Sequence, residues 1–167
     1  MDELKKSEDG RIITVSSASH AQGGRPYLDD IELKEHYSYM KVYGTSKLYV
    51  IWAMRHLKKE LEAKGIKNIT VNCTHPGSAK THLGESDQRP FLMKLLFAAW
   101  IPLMTSVEKG SESTIYAATS NEIKGQSNLY IGPKGLEKVK DKYYSEQNEK
   151  ILWDYCMKVV GPYLEKQ

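Results

Sequence analysis

Two hydrophobic periods alternate along this chain, and their order predicts an α/β protein. Arg11 to Ser17, RIITVSS, is a short β-branched run after the turn-forming Glu8-Asp9-Gly10. It predicts a strand buried on both faces. Residues 18–40 keep no period; rich in Gly, His, Asp and Tyr, with Gly23-Gly24 and Pro26, they predict a long loop with at most one helical turn. Loops of that length usually carry function. From about Lys41 to Lys64 the spacing changes: Val50, Met54, Leu57 and Leu61 recur at steps of four, three and four among charged residues. That is the stripe of an amphipathic helix, with Gly65 as its stop. Asn68 to Thr74, NITVNCT, is a second β-branched run, closed by His75-Pro76-Gly77.

A strand, a long helix and a second strand make a βαβ unit. Such units are nearly always parallel and right-handed, with functional groups at the carboxyl ends of the strands. Those ends are Ser16-Ser17 and His75-Pro76-Gly77. Further on, the pattern predicts an apolar helix around Phe91 to Leu103 and a helix from about Val107 to Thr119. A short strand around Asn128 to Ile131, ahead of Gly132-Pro133, would sit beside the second strand. A closing helix from about Ser145 to Val160 would carry Ile151, Leu152, Tyr155 and Val159 on one stripe and end at Gly161-Pro162.

Composition narrows the classes of function. With 167 residues, 40% apolar and 27% charged, the chain can bury one core. Its net charge of +3 falls far short of the dense basic surface of a nucleic-acid binder, so no nucleic-acid partner is expected. Lys134, Lys138, Lys140 and Lys142 are interrupted by Glu137 and Asp141 and read as a solvated helix face. Cys73 and Cys156 are too few for a disulfide framework and suit reduced thiols. MDELKKSEDG lacks the apolar centre of a signal peptide, which points to the cytoplasm. Pro90 to Met104, PFLMKLLFAAWIPLM, is broken by Lys94 and Pro102 and falls short of the ~20 residues that cross a bilayer. It reads as a lid over an apolar ligand, a core helix, or a helix lying on a membrane surface. His20, His36, His56, His75 and His82 lack metal-ligand spacing, so no metal site is expected. Trp153 and Tyr155 read as core or subunit-contact residues.

Tyr43 and Lys47, in Tyr-Gly-Thr-Ser-Lys, stand four apart at the head of the long helix. Side chains at i and i+4 share a face, so their polar tips can meet. An ammonium beside a phenol favours the phenolate, which suits proton exchange with a substrate oxygen near neutral pH. A serine hydroxyl could hold that oxygen, and Ser17 at the end of the neighbouring strand is available. On spacing alone, such a pair is more often an ordinary surface pair than a catalytic one.

The order of the parts is more specific. A strand ending in Ser-Ser, a loop, Tyr-x-x-x-Lys on a helix, a strand and then Pro-Gly resembles the short-chain dehydrogenase/reductase family from about Gly10 to Gly161. The 26 positions from Ser17 to Tyr43, Ser-Ser-Ala-Ser-His20, His75-Pro-Gly, and Leu152-Trp153-Asp154 with Gly161 resemble its retinol-dehydrogenase-like branch. The resemblance implies the carboxyl-terminal part of a Rossmann-type doubly wound parallel sheet, with about three strands and flanking helices. It also implies NAD(P)(H) as cofactor and a small lipophilic alcohol or carbonyl as substrate. Carried over, Ser17, Tyr43 and Lys47 are catalytic: Ser17 anchors the oxygen, Tyr43 gives or takes the proton, and Lys47 also meets the cofactor ribose. Ser16 would be structural. Pro76, Gly77 and Ser78 would lie along the nicotinamide, and Thr81 would bond its carboxamide or a phosphate. The resemblance favours the lid for Phe91 to Met104.

The sequence contains no Gly-x-x-x-Gly-x-Gly turn, the device that brings backbone N–H groups up to a cofactor pyrophosphate. Residues 1–167 are therefore expected to form a single partial domain, the catalytic and substrate-side half, with poor affinity for NAD(P) by itself. The strand at Arg11 would lack a neighbour on one side, so self-association, an N-terminal segment folded over that edge, or aggregation is expected. The alternative is a truncated, catalytically silent fragment or assembly module.

Overall fold

The computed structural model describes residues 1–78 and 104–164. Strands β1 (Gly10–Val15), β2 (Ile69–Thr74), β3 (Tyr130–Gly132) and β4 (Gly135–Leu136) form one sheet in that order. The first three are parallel, and β4 returns antiparallel through Pro133-Lys134. The helices are α1 (Asp2–Lys6), α2 (Tyr39–Ala63), α3 (Val107–Thr119) and α4 (Glu146–Leu164).

The βαβ unit follows from the sequence pattern. Helix α2 starts where Ser38 Oγ accepts the Lys41 N–H and stops at Lys64, ahead of Gly65 with φ 73. Both are ordinary helix ends. Its residues Ile51, Met54, Leu57 and Leu61 lie against Ile69, Val71 and Cys73, which share one face of β2. The other face of β2 is just as buried but polar, and each group is bonded. Thr70 Oγ1 donates to Gly10 O (3.3 Å), Asn72 Nδ2 to Gln126 O (2.9 Å), Asn72 Oδ1 accepts the Leu129 N–H (2.9 Å), and Thr74 Oγ1 meets Thr114 Oγ1 of α3 (3.0 Å). Left unmade, each such bond would cost about 1–3 kcal/mol. Helix α3 closes this side, with Ala117 against Ile123 and Ile131 and half-buried Ile13 packed on them. With α2 and α3 on opposite faces, the sheet is doubly wound. A further cluster of Leu48, Tyr49, Trp52 and Leu152 joins α2 to α4, each apolar side chain contributing about 1.5–3 kcal/mol.

Three expectations need correction. Strand β1 is not buried on both faces: Arg11 to Thr14 are half-buried and Val15 is 46% exposed. It is an end strand among the described residues, with β2 on one side only. In the N-terminal segment, Leu4 joins Leu61, Ile69 and Val71 at the foot of the sheet. There Asn68 Nδ2 donates to Lys5 O (3.0 Å) and Ser7 O (2.6 Å).

Lys138 to Lys142 do not lie on a helix. The chain leaves β4 extended, so Val139 turns into the Ile51–Cys73–Tyr130 cluster while Lys138 and Lys140 face outward, a period of two.

Helix α4 runs through Gly161-Pro162 to Leu164 and buries Glu149 and Leu152, whereas Ile151 (39%) and Val159 (51%) are exposed. Glu149 decides its rotation. The fully buried carboxylate accepts from His56 Nδ1 (2.9 Å), Lys59 Nζ (2.9 Å) and the Tyr144 hydroxyl (2.7 Å). Trp153 rests on the His56 ring, 4.9 Å between centroids, and the Tyr155 hydroxyl donates to Glu32 Oε1 (2.5 Å).

The helix expected at Phe91 to Leu103 lies outside the described residues. No helix among the described residues is long and apolar enough to cross a membrane. Cys73 and Cys156 are free, and burial pushes the Cys73 thiol up to about 12.

Candidate active site

The carboxyl ends of β1 and β2 lie level. Val15 pairs with Thr74, and the Ser16 N–H donates to Thr74 O at 2.7 Å. Ser16-Ser17 and His75-Pro76-Gly77 therefore leave the sheet side by side.

Past Val15 the chain enters a 3-10 turn, Ala18–Gln22, capped by Ser17, whose Oγ accepts the Ser19 N–H at 3.2 Å. This turn lies backbone to backbone against the head of α2. A Cβ on Gly44 would stand 2.5 Å from Gly23 N and 2.8 Å from Ser19 O, so glycine is required for the approach. Thr45 Oγ1 donates to Gly23 O (3.5 Å) and Ser16 Oγ to Lys47 O (2.8 Å). These bonds fix the Lys47 turn of α2 beside the end of β1. Lys47 Nζ reaches Val15 O at 3.5 Å and stands 5.7 Å from the centroid of the Tyr43 ring. Both side chains are half-buried and share one face of α2, as their spacing requires. The structure thus brings Ser17 and Lys47 to one strand end, with Tyr43 one helical turn before Lys47.

Gly77 has φ 69, and a Cβ there would come within 2.8 Å of Pro133 Cγ. Its N–H donates to His75 Nδ1 at 3.2 Å. Ser78 O accepts the Thr105 N–H at 2.9 Å and the Thr105 hydroxyl at 3.3 Å. That pair of bonds joins the two ends of the described chain at Ser78 and Thr105. Thr81 lies outside the described residues.

Sequence reasoning missed a buried group behind these turns. The His75 ring stacks on Tyr130, with centroids 5.0 Å apart and planes at 21°, and its Nε2 lies 3.2 Å from Glu137 Oε2. Tyr130 Oη is 3.1 Å from His20 Nδ1, which is 2.9 Å from Ser17 O. Burial pushes the pKa of His20 down and that of Tyr130 up. Both histidines stand in the Ser-Ser-Ala-Ser-His and His-Pro-Gly motifs, but no spacing pairs them with a tyrosine 110 positions from His20.

Two grooves flank this region. One, of about 800 Å³, is lined by Arg25 to Asp29, His36, Tyr143 and Asn148. The other, of about 350 Å³, is lined by residues that include His20, Leu48, Lys140 and Tyr143. Neither lining includes Ser17, Tyr43 or Lys47.

No family model matches the chain. It is 36% identical over 160 residues to Retinol dehydrogenase 14 of Homo sapiens, a match covering 95% of this chain and 46% of that protein. It is 30% identical over 164 residues to Polyprenol dehydrogenase of Danio rerio, covering 94% of this chain and 48% of that protein. Over nearly its whole length the chain is similar to retinol-dehydrogenase-like short-chain dehydrogenases/reductases. It spans about half the length of the curated relatives it matches. Solved structures agree on the α/β fold. An uncharacterized protein from Mycobacterium paratuberculosis aligns with TM-score 0.58 and 21% identity, covering 92% of this chain and 51% of that one. A short chain dehydrogenase from Salmonella enterica serovar Typhi aligns with TM-score 0.52 and 14% identity, covering 80% and 45%. Both likenesses concern the fold alone.

Proposed function

We propose that this chain supplies the proton-transfer and substrate-side part of an NAD(P)(H)-dependent oxidoreductase acting on a small lipophilic alcohol or carbonyl. The observation that carries this reading is the placement of Lys47 Nζ over Tyr43, on a helix head tied through Ser16 and Gly44 to the Ser17 turn. In this reading the Ser17 hydroxyl donates to the substrate oxygen, and the Tyr43 hydroxyl exchanges a proton with it. The Lys47 ammonium balances the negative charge that develops on the phenol and, with three donors, also meets ribose hydroxyls. Pro76, Gly77 and Ser78 would face the nicotinamide from the end of β2, with Thr81 completing that contact. The cofactor supplies the hydride. These residues fit the nicotinamide end of such a cofactor; the sequence contains no glycine-rich turn to fit its pyrophosphate. The names of the relatives, retinol and polyprenol dehydrogenases, support an apolar alcohol as substrate. Self-association through the end strand and a cytoplasmic setting belong to the same proposal.

A second reading is favoured by the lack of a Gly-x-x-x-Gly-x-Gly turn in these 167 residues: a silent chain that does not grip the cofactor. A fluorescence titration with NADPH and NADH, run beside Tyr43→Phe and Lys47→Ala, separates the two. The first reading expects saturable binding weakened by Lys47→Ala. It also expects oxidation of a long-chain alcohol to fall about 10²–10⁴-fold in Tyr43→Phe, the usual worth of a general acid or base. Binding indifferent to Lys47→Ala removes the role given to Lys47, and no binding at millimolar cofactor establishes the second reading.

A further inference from the structure

We infer that His75, Tyr130 and His20 form a buried positioning ladder that sets the Ser17 turn and the Pro76–Gly77 turn relative to one another. The inference rests on the assignment of those two turns to the site. All three rings are buried, at 4%, 4% and 5% exposure, and Tyr130 stands between the histidines. It is stacked on His75 and edge-to-face with His20, at 5.0 Å between centroids on each side.

The protons of this group can be placed from its bonds. Gly77 N–H donates to His75 Nδ1, so the ring proton of His75 is on Nε2 and points at Glu137 Oε2. Lys140 N–H donates to His20 Nε2 at 3.0 Å, so the proton of His20 is on Nδ1, shared between Ser17 O and Tyr130 Oη. Behind Ser17, the Ser16 hydroxyl gives its proton to Lys47 O. The two histidines therefore hold opposite tautomers. Contact runs without a break from the Gly77 N–H to the Ser17 carbonyl, through a strand that contributes no other site residue.

The groups held at its ends are backbone atoms of the two turns, not further core side chains. A core filled with leucine would exclude water equally well but would specify no such distance, whereas a fully bonded buried network does. Gly132 leaves room for it: a Cβ there would overlap His75 Nε2 and Glu137 Oε1. The charged groups facing the ladder are Glu137 at His75, and Asp141 and Lys140 at His20.

Nitrogen-15 NMR of the 167-residue chain tests this. The expected result is His75 protonated on Nε2 and His20 on Nδ1. Tyr130→Leu, which removes the ring, should move the amide resonances of both Gly77 and Ser19, and Tyr130→Phe, which keeps the stack, that of Ser19 alone. His20→Asn, with a donor where Nδ1 stands, should restore the Ser19 resonance, and His20→Gln should not. Either histidine in the other tautomer overturns the ladder, as does a folded Tyr130→Leu with both amides unmoved. Should Tyr130→Leu not fold, equal spectra for His20→Asn and His20→Gln overturn it instead. None of these readouts needs a cofactor. Failed NADPH binding with these tautomers present sinks the proposed function alone, and the wrong tautomers in a chain that binds NADPH sink the ladder alone. In a chain that turns over, Tyr130→Phe should lower kcat about tenfold and leave KM unchanged, the split expected of an interaction felt in the transition state.

Discussion

Burial would raise the pKa of Asp30, yet its carboxylate is held at about 2 because His36 Nδ1 and the N–H groups of Lys34, Glu35 and His36 donate to it at 2.8–3.1 Å. These bonds fold residues 30–36 back under Tyr27, whose ring stacks on His36 at 3.9 Å and lines the larger groove. A carboxylate depressed on folding stabilises above its unfolded pKa of about 4, and that contribution is lost as pH falls toward about 2. Amide exchange at Lys34 to His36 should be slow near neutral pH and accelerate below about pH 4, and Asp30→Asn should flatten that dependence; equal protection at about pH 3 and about pH 6 would refute it. Two glycines give a contrasting pair. Gly44→Ala forces backbone from backbone and should cost about 1–3 kcal/mol in thermal unfolding. Gly161→Ala, inside α4 with no atom of another element within 4 Å of the added Cβ, should change stability by less than about 1 kcal/mol, because the helical gain of alanine over glycine is opposed by Pro162, whose ring disfavours helical backbone at a preceding residue that carries a Cβ. At this scale the sequence shows what is local. Tyr43, Lys47 and Ser17 are legible because helix period and strand end place them, whereas His20, Tyr130 and His75 meet only after the sheet has formed.

Helix α4 is attached to α2 through one carboxylate. Glu149 lies below its ordinary pKa although burial opposes this, because Tyr144, Lys59 and His56 all bond the charged form. Its contribution is therefore present above about pH 4.3 and is lost as pH falls below that. Removing one member of a buried charged cluster leaves the others unpaired, so Glu149→Ala should cost about 3–5 kcal/mol in urea unfolding. Glu149→Leu combined with Lys59→Met should cost less, since no charge is then stranded. If the double replacement costs as much as Glu149→Ala, the anchor is Leu152 and its apolar neighbours instead. The same residue explains why α4 is harder to read than α2. In α2 the buried stripe is apolar and its period shows, but in α4 a glutamate occupies the inward position. A search for apolar periodicity then selects Ile151 and Val159, which face water. Strand β2 is the converse case, since Thr70, Asn72 and Thr74 look solvent-facing and are buried with their side chains bonded by β1, by the loop before β3 and by α3 respectively.

At the scale of the molecule, strand order was legible from the βαβ rule, but the exposure of β1 was not, because an apolar run reads alike in a central and an end strand. The bonds from Gly10 N–H to Asn68 O and from Ser16 N–H to Thr74 O show that the even-numbered donors of β1 face β2. Arg11, Ile13 and Val15 therefore turn theirs outward. Arg11 covers the foot of that edge, bonded to Asp9 and to the carbonyls of Ala117 and Ser120, and Lys47 Nζ meets the Val15 carbonyl, which leaves Ile13 to the Val15 N–H as the accessible stretch among the described residues. An apolar edge with free donors and acceptors tends to add a strand, so sedimentation velocity should show concentration-dependent self-association. Val15→Lys places a charge on the edge at a side chain already 46% exposed, and it should shift the chain toward monomer without lowering Tm. Association unchanged in Val15→Lys would exclude the edge. It would move the contact to the exposed end of α4, where Val159, Val160, Tyr163 and Leu164 face solvent. Val160→Glu would then dissociate the chain, because a charge at the centre of an apolar contact loses its water with no partner to replace it.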